Sequence, residues 1–581
     1  MVSNRDIGRL LREISAYLEM EGVGFKPRAY QKAAEAVEAM EVPVPRLFDE
    51  GGAKALATIP GVGKSIAHKI AEFLETGRVA YLEEMKAQRP VQLMELIAIE
   101  GVGPKTARAL YDALGVRTLA DLERVARQGK IRTLRGFGEK SEQEILRGLD
   151  FLRQHRGRFP IGEAFPIAYS IEQRLRELDC VEQVALAGSI LRRKESVGDA
   201  DILVISKDAG AVMDFFIRMP EVAHVHGKGI TKGSVRLHMG MDVDLRVVSR
   251  ESFGAALNYF TGSKSHNVHL RRIAQERGLK LNEYGLFKGK KAIAGRTEEE
   301  LYRALGLPFI PPELREDRGE IEAAQEGRLP QVIDYGGLRG DLQTQTDWTD
   351  GKHSIEDMAR EAQALGLEYI AITDHTASLA MMGMDEDKLS RQMEVIEALD
   401  RRSPGIRILK GAEVNIMPDG LLDVGDSLLA KLDVVGVGVH SRFHQSRSQM
   451  TERLCRAMRN PHVDILFHPT GRVVLKREPY DLDLDEILRV ARQTGTVLEV
   501  DAMPDRLDLK DEHIRKAVEA GVKLVIDSDA HATSHFGLLH YGVGQARRGW
   551  ATAADVLNTL PVERFLASLK DGRKSAASGA R

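Results

Sequence analysis

Gly188 to Asp201 reads GSILRRKESVGDAD. Gly188 and Ser189 close the apolar run Val184–Ala187, Arg192 and Arg193 follow, and Asp199 and Asp201 stand where a strand over Asp201–Ile205 begins. Residues i and i+2 of a strand project to the same face, so the two carboxylates lie side by side. They repel each other unless a cation lies between them, and ligation by oxygen alone favours magnesium or manganese. Farther on, MDVDLRVV (241–248) sets Asp242 and Asp244 on one face and Val243, Leu245 and Val247 on the other. With Asp244 the set can hold two metals about 3.5–4 Å apart, the arrangement that clamps both oxygens of an in-line phosphoryl displacement. The chemistry indicated is nucleotidyl transfer.

A lone DxD is more often a solvated strand end, but this one has company. Tyr259-Phe260-Thr261-Gly262-Ser263 lies downstream, followed by Asn267 and Arg271. Through GS with Arg192, DAD (199–201), DLR (244–246) and YFTGS with Asn267, the sequence resembles DNA polymerase family X, the polymerase β type. The resemblance implies that Asp199, Asp201 and Asp244 carry magnesium or manganese. It also implies that Gly188, Ser189 and Arg192 hold the triphosphate of a dNTP, and that Gly262, Asn267 and Arg271 contact base or template. Leu191 stands where the family often has arginine, which places more of the triphosphate on Arg192 and Arg193. Tyr259 and Phe260, directly before TGS, are expected to pack beneath the sugar.

At 581 residues the chain exceeds one core, and about 150 residues per domain suggests three or four. Hydrophobic content of 43% with 29% charged residues describes an ordinary globular protein. Cys180 and Cys455 lie far apart without CxxC spacing, which argues against a disulfide framework and fits a reducing cytoplasm. No apolar run reaches the roughly 18 residues of a membrane span. The net charge of −3 hides an asymmetry, since residues 1–160 carry 26 lysines and arginines against 22 acids. An excess this small leaves nucleic-acid contact to local patches and backbone amides.

Apolar residues at helical spacing (Ile7, Leu10, Leu11, Ile14, Leu18) open the chain, and Pro27 starts a second helix. Two near-repeats follow, IPGVGKSIAHKI (59–70) and IEGVGPKTARAL (99–110), with a weaker relative LRGFGEKSEQEI at 134–145. Each joins an apolar residue, a GxG turn and an amphipathic helix. The glycines allow a tight reversal that brings bare N–H groups at a helix start close to phosphate. This is the helix-hairpin-helix pattern, which grips DNA backbone without reading sequence. Gly61, Gly63, Lys64, Gly101, Gly103 and Lys105 are its candidate DNA contacts. Lys69 shares the first helix with Lys64, Ser65 and His68. In polymerase β the residue that Lys69 resembles forms a Schiff base with an abasic sugar, and Tyr30 matches as well, so the resemblance implies a lyase.

From Asp334 strands alternate with helices: YIAIT, IRILKGAEV, LDVVGVGVH, VDILFH, TVLEV and VKLVID are spaced by helical patterns, the signature of a parallel α/β barrel. Polar residues stand at the strand C-termini, where such barrels build their chemistry: Asp374-His375, Glu413, His440, His468, Glu499, Asp501 and Asp529-His531. Four histidines among carboxylates at successive strand ends point to metal. The set resembles the PHP family of metal-dependent phosphoesterases, and its fusion behind an X-type polymerase resembles bacterial polymerase X along essentially the whole chain. The family opens with HxH and a downstream Asp; here DLQTQTDWTDG keeps Asp350 but has Gln343 and Gln345 in the histidine places. The resemblance implies three metal positions. Glu413, His440 and His468 keep one, and Asp350, His375 and His531 keep another. The remaining one retains only Glu413 and Asp529, and amides are poor ligands for zinc or manganese. About two metals, zinc or manganese, are expected, with 3′-exonuclease or phosphatase activity weak or absent.

The expected layout is multidomain. Helical helix-hairpin-helix domains at 1–85 and 86–158 precede an α+β nucleotidyltransferase palm at 159–250 and a dNTP-selecting thumb subdomain at 251–318. A linker at 319–333, whose composition suits a flexible or loosely docked connector, then leads to an α/β PHP barrel at 334–572 and a tail at 573–581. The seam before the palm is marked by the Gly and Pro content of HRGRFPIGEAFP (155–166). The reading is a monomeric cytoplasmic DNA polymerase that fills gapped or nicked DNA from dNTPs. Its rivals are a repair nuclease or phosphatase to which the polymerase half delivers DNA, and a DNA-binding scaffold with one degenerate catalytic half.

Overall fold

The computed structural model describes residues 2 to 569 apart from 3, 39, 41, 100, 155, 156 and 379–382; the tail at 573–581 lies outside the described residues. The chain forms two compact units, 1–156 and 157–581.

In the first unit the helices Asn4–Met20 and Lys26–Glu38 pair through Ile7, Leu11, Ile14, Ala33 and Val37, all fully buried. Each GxG reverses the chain in the same way. Gly61 and Gly101 take the left-handed φ of +77° and +84° that a side chain resists, while Gly63 and Gly103 are N-caps in extended conformation. The helices Lys64–Thr76 and Pro104–Leu114 start there, with Pro104 in the first turn, where its missing N–H is no loss. Gly61, Gly63, Lys64, Gly101, Gly103 and Lys105 are all exposed.

The second unit begins with a five-stranded sheet of β1 (Val181–Ala187), β2 (Asp199–Ser206), β3 (Val222–Lys228), β4 (Lys232–Leu237) and β5 (Asp242–Val247), in the order β1-β2-β5-β4-β3. Only β2 and β5 run parallel. Their register sets Asp199 opposite Asp242 and Asp201 opposite Asp244. The alternating apolar residues Ile202, Val204, Val243 and Leu245 bury one face, which fixes that register, because a slip of one residue would turn them to the other side.

The helices Phe253–Thr261, Lys264–Glu276 and Glu298–Ala304 follow, with a small antiparallel sheet of β6 (Lys280–Asn282), β7 (Gly285–Lys288) and β8 (Lys291–Ala294). The stretch read as a flexible linker is no loose connector. Residues Glu320–Gln325 form a helix whose Ile321 and Ala324 join Leu270, Leu301, Ile310 and Leu314 in one core. One of its charged residues is inside as well: Glu320 is fully buried, accepting from His266 Nδ1 at 2.6 Å and from the Asp317 and Arg318 amides. Charge and proline content suggested mobility because the partners that bury those charges lie far away in sequence.

Seven parallel strands complete the chain: β9 (Gly340–Thr344), β10 (Tyr369–Ile372), β11 (Arg407–Asn415), β12 (Val434–Gly438), β13 (Ile465–Leu466), β14 (Val497–Asp501) and β15 (Leu524–Asp527), in sequential order. The barrel nearly closes: Thr344 bridges to Ala530 in parallel, and the Leu342 amide donates to Asp527 Oδ1 at 2.9 Å. Six of these strands were legible as apolar runs. The remaining one, β9, reads GDLQT, and all five residues are buried.

Candidate active sites

The parallel pairing of β2 and β5, two inner strands, gathers Asp199, Asp201 and Asp244 toward the starts of these strands. Among the described residues Asp199 and Asp201 have no ion-pair partner, and Asp244 has only Lys232, whose Nζ lies 3.8 Å away. Burial, then Asp199 and Asp244, pushes the Asp201 carboxyl up to about 7. Partial burial and then Asp244 raise Asp199 too. Burial and then the neighbouring carboxylates hold both carboxyls above their ordinary range, and a divalent cation would offset both. Asp242 differs: Arg236 binds it through two N–H groups at 2.8 and 2.9 Å, and His226 lies at 3.0 Å. The Arg236 hydrogen bonds hold it down to about 2 although partial burial opposes them. The donor set Asp199, Asp201 and Asp244 fits metal, whereas Asp242 is already neutralised.

Gly188, at φ +69°, lies against this set, and a Cβ there would come within 2.6 Å of Asp201 Oδ2. Ser189 is in the single turn Gly188–Leu191. The Arg192 guanidinium reaches the YFTGS stretch, donating to the Thr261 carbonyl and pairing with Glu316 Oε1 at 3.1 Å. Gly262 sits beside it, with room for a Cβ only 3.2 Å from Arg192 Nη1. Arg193, expected to share the triphosphate, goes elsewhere. Its guanidinium lies 4.3 Å from the Phe165 ring centroid and 5.3 Å from that of Tyr335, and its stem packs on Gly544. Aromatic faces and tight packing hold this cation, and neither is visible in the local sequence.

Tyr259 and Phe260 meet edge to face at 5.1 Å, with Arg246 over the Phe260 ring. Asn267 donates to the Tyr259 carbonyl at 2.7 Å, and Arg271 Nε donates to the Asn267 carbonyl at 3.1 Å, so these residues form one connected group. In the first unit Lys69 Nζ is 3.1 Å from Ser65 Oγ and 4.6 Å from the Tyr81 ring centroid, while Ser65 also hydrogen-bonds the buried Tyr30 phenol.

In the barrel Glu413, fully buried on β11, is the hub. Its Oε1 accepts from His440 Nε2 at 2.8 Å and His468 Nε2 at 2.9 Å, and its Oε2 accepts from the Gln343 and Gln345 amides at 3.0 and 2.9 Å. Gly438 makes room, because a Cβ there would stand 2.9 Å from Glu413 Oε1. His375 lies between this hub and Asp350, with a ring nitrogen 3.6 Å from a carboxylate oxygen on either side, and His531 Nε2 is 3.5 Å from Asp350. Two sets thus bring one ligand atom per residue within 4.8 Å of one another: Asp350, His375 and His531, and His375, Glu413 and His440. These donor sets fit divalent metal, and the unpartnered buried His375 Nδ1 has the character of an unused ligand atom.

The set that would join Gln343, Gln345, Glu413 and Asp529 is poorer in strong donors: both amide nitrogens donate to Glu413 Oε2, the buried amide oxygens have no hydrogen-bond partner, and Asp529 faces Arg506 Nε at 3.8 Å. Asn415 and Arg506 are site residues that the sequence reading missed. Asn415 Oδ1 holds His440 Nδ1 at 2.6 Å, the type of contact that orients an imidazole. It stands two residues from Glu413 on the same strand, so strand period would have found it. No such signal marks Arg506, which arrives from a loop. Asp374, adjacent to His375, has a supporting role: it accepts from the Thr346 amide at 2.8 Å, Thr346 Oγ1 at 2.5 Å and Gln392 at 2.6 Å.

Comparison with known proteins covers every part of this arrangement. Residues 2–79 match a helix-hairpin-helix domain, 93–150 a SAM-like helix-hairpin-helix tandem, 256–316 the DNA polymerase beta thumb and 341–565 the PHP domain. A DNA polymerase/3′-5′ exonuclease PolX of Bacillus subtilis is 38% identical over 572 residues, 97% of this chain and 99% of its own length. DNA polymerase lambda of Rattus norvegicus is 26% identical over 344 residues, 54% of this chain and 56% of its own. A probable phosphatase of a Thermoanaerobacter strain is 30% identical over 231 residues, 38% of this chain and 90% of its own.

Proposed function

The chain belongs to the bacterial PolX-type family X DNA polymerases, with helix-hairpin-helix modules, a polymerase beta thumb and a C-terminal PHP domain, and from that premise we propose that it fills short gaps during DNA repair. The observation that carries the reading is the pairing of β2 with β5, which aligns Asp199, Asp201 and Asp244 with one lysine for company. Magnesium or manganese in the palm, and zinc or manganese in the barrel, supply when bound the positive charge that polarises a phosphoryl oxygen and makes a hydroxyl or water more acidic.

The chain's own residues do the rest. Asp199, Asp201 and Asp244 set where that charge lies, next to the primer 3′-hydroxyl and the α-phosphate. Gly188 lets the triphosphate approach, and Ser189 with Arg192 takes up its negative charge as pyrophosphate departs. Tyr259 and Phe260 border the sugar, while Asn267 and Arg271 fix the base side. The exposed glycine turns at 61–63 and 101–103, with Lys64 and Lys105, hold the DNA backbone of a gapped or nicked substrate. Single-nucleotide extension on a gapped duplex, compared between the intact protein and Asp244→Ala, tests the reading. Loss of extension is expected, and extension within tenfold of the unaltered protein would overturn it.

The Bacillus subtilis relative is also a 3′-5′ exonuclease, and the barrel of this chain carries that activity in reduced form. Support comes from Gln343 and Gln345, whose amides take the place of ligands at one of the three positions. Two metals, held by Asp350, His375 and His531 and by Glu413, His440 and His468, with His375 also within reach of Glu413 and His440, remain. A lyase at Lys69 is the second activity proposed, favoured by the contact of its amine with Ser65 and, through Ser65, with Tyr30. Borohydride should trap the protein on a 5′-deoxyribose phosphate end, and Lys69→Ala should lose the adduct. Unchanged trapping by that variant would move the nucleophile elsewhere.

A further inference from the structure

The turn Gly188–Leu191 and the residues after it are held from the barrel side at three places. Arg548, in the last turn of the helix Leu539–Arg548, donates from Nη1 to the Arg192 carbonyl at 2.8 Å. Gly544 of the same helix lies under the Arg193 stem, where a Cβ would sit 3.1 Å from Arg193 Cγ. Arg472 pairs with Glu195 at 2.7 Å.

Arg548 does more than touch the backbone. Its Nη1 also meets Glu316 Oε1 at 2.9 Å, the same oxygen that pairs with Arg192 Nε at 3.1 Å. Its Nη2 binds Asp511 Oδ2 at 2.6 Å, and Arg318 reaches that oxygen at 3.3 Å. The Arg548 side chain is 2% exposed and that of Asp511 5% exposed, so the network has little water to exchange with. One guanidinium therefore fixes both ends of Arg192: its peptide carbonyl directly, and its side chain through their shared partner Glu316. A planar fork of several N–H donors can span three acceptors in this way, and an ammonium cannot.

We propose that Arg548, carried by the C-terminal barrel, is a positioning residue for nucleotide binding in the polymerase half, holding Arg192 where the triphosphate of the incoming dNTP must lie. The inference rests on the reading that Arg192 meets that triphosphate. Arg548 touches no reacting atom, so its loss acts on the affinity for the polyphosphate more than on the chemical step.

The test is steady-state gap filling by the full chain with Arg548→Ala, Arg548→Lys and Arg192→Ala. Arg548→Ala should raise KM for dNTP about tenfold with kcat changed less than about threefold, and should weaken inhibition by inorganic pyrophosphate in parallel. Affinity for gapped DNA should stay unchanged. Arg548→Lys keeps the charge but not the fork and should recover only part of the loss. Removing one buried partner strands Asp511, so a double variant, Arg548→Met with Asp511→Asn, keeps the question open to measurement if the single change unfolds. A folded double variant with unaltered KM and pyrophosphate inhibition would overturn the assignment. If Arg192→Ala raises KM while the Arg548 variants do not, this inference alone fails; if Arg192→Ala leaves KM unchanged, the triphosphate reading beneath it fails as well.

Discussion

In the palm, Asp199, Asp201 and Asp244 crowd together on two adjacent inner strands, and Lys232, 3.8 Å from Asp244, is the one ion-pair partner of the set among the described residues. In the barrel, the single carboxylate of Glu413 is met by two imidazoles and two amides between 2.8 and 3.0 Å. The consequences for charge are opposite. Asp201 is pushed up to about 7, by burial first and then by its neighbours. Glu413, despite complete burial, is held well below the ordinary range by His375 and His440. A bare cluster demands a cation or a proton; a cluster satisfied by side chains keeps its shape with neither. Polymerisation should therefore depend wholly on metal in the palm, whereas Glu413 in the barrel is held in place by hydrogen bonds from Gln343, Gln345, His440 and His468.

The strongest test of that contrast is Asp199→Asn. Extension should fall by about three orders of magnitude or more, on the order of 4 kcal/mol of transition-state stabilisation. Barrel metal content and nuclease activity should be unchanged, and a parallel loss of both activities would show that the two sites are not independent. Next comes Gln343→His with Gln345→His, which should add about one metal ion per chain by native mass spectrometry and raise manganese-dependent nuclease activity roughly a hundredfold. Vigorous digestion by the unaltered protein, unmoved by the restored histidines, would show that the amides are no handicap.

A smaller effect concerns the ion network between the two regions. Arg548 and Arg318 hold Asp511 down to about 2 against the opposing pull of burial. A carboxyl depressed on folding stabilises above its unfolded pKa near 4, and that contribution is lost as pH falls through about 2. The loss amounts to about 2 kcal/mol, read as a steeper decline of thermal stability between pH 4 and 2 than in Asp511→Asn. Identical pH dependence in the two proteins would remove Asp511 from the network's energetics. The smallest effect is expected in the first unit. Gly63 and Gly103 have ordinary φ values and open space where a Cβ would go, whereas Gly61 and Gly101 have the positive φ that a side chain resists. Gly63→Val with Gly103→Val should therefore fold, bind gapped DNA about tenfold more weakly and show a shallower salt slope. Unaltered binding would reduce both motifs to turns.

Much of this was legible beforehand because strand and helix periods are local. DAD and DVD announced paired carboxylates, and β2 and β5 bring them together in the expected orientation. Apolar runs announced six barrel strands, yet β9 was missed because GDLQT is polar by composition. Its polar side chains are buried only because distant groups satisfy them, Asp341 by Ser528 and Gln343 by Glu413. The same cause hid the helix Glu320–Gln325 inside a stretch that reads as a connector.

The sequence by itself determined the architecture and the positions of the carboxylates and histidines, because alternation, turn glycines and strand-end residues act within a few positions of one another. Only the tertiary structure decided which charges are neutralised and by whom. Arg193 belongs to Phe165 and Tyr335, Asp242 to Arg236, Glu413 Oε2 to two amides, and the Arg192 carbonyl to a guanidinium 356 residues away. Charge pairing follows distance in space through a medium of low dielectric, and separation along the chain carries no information about it.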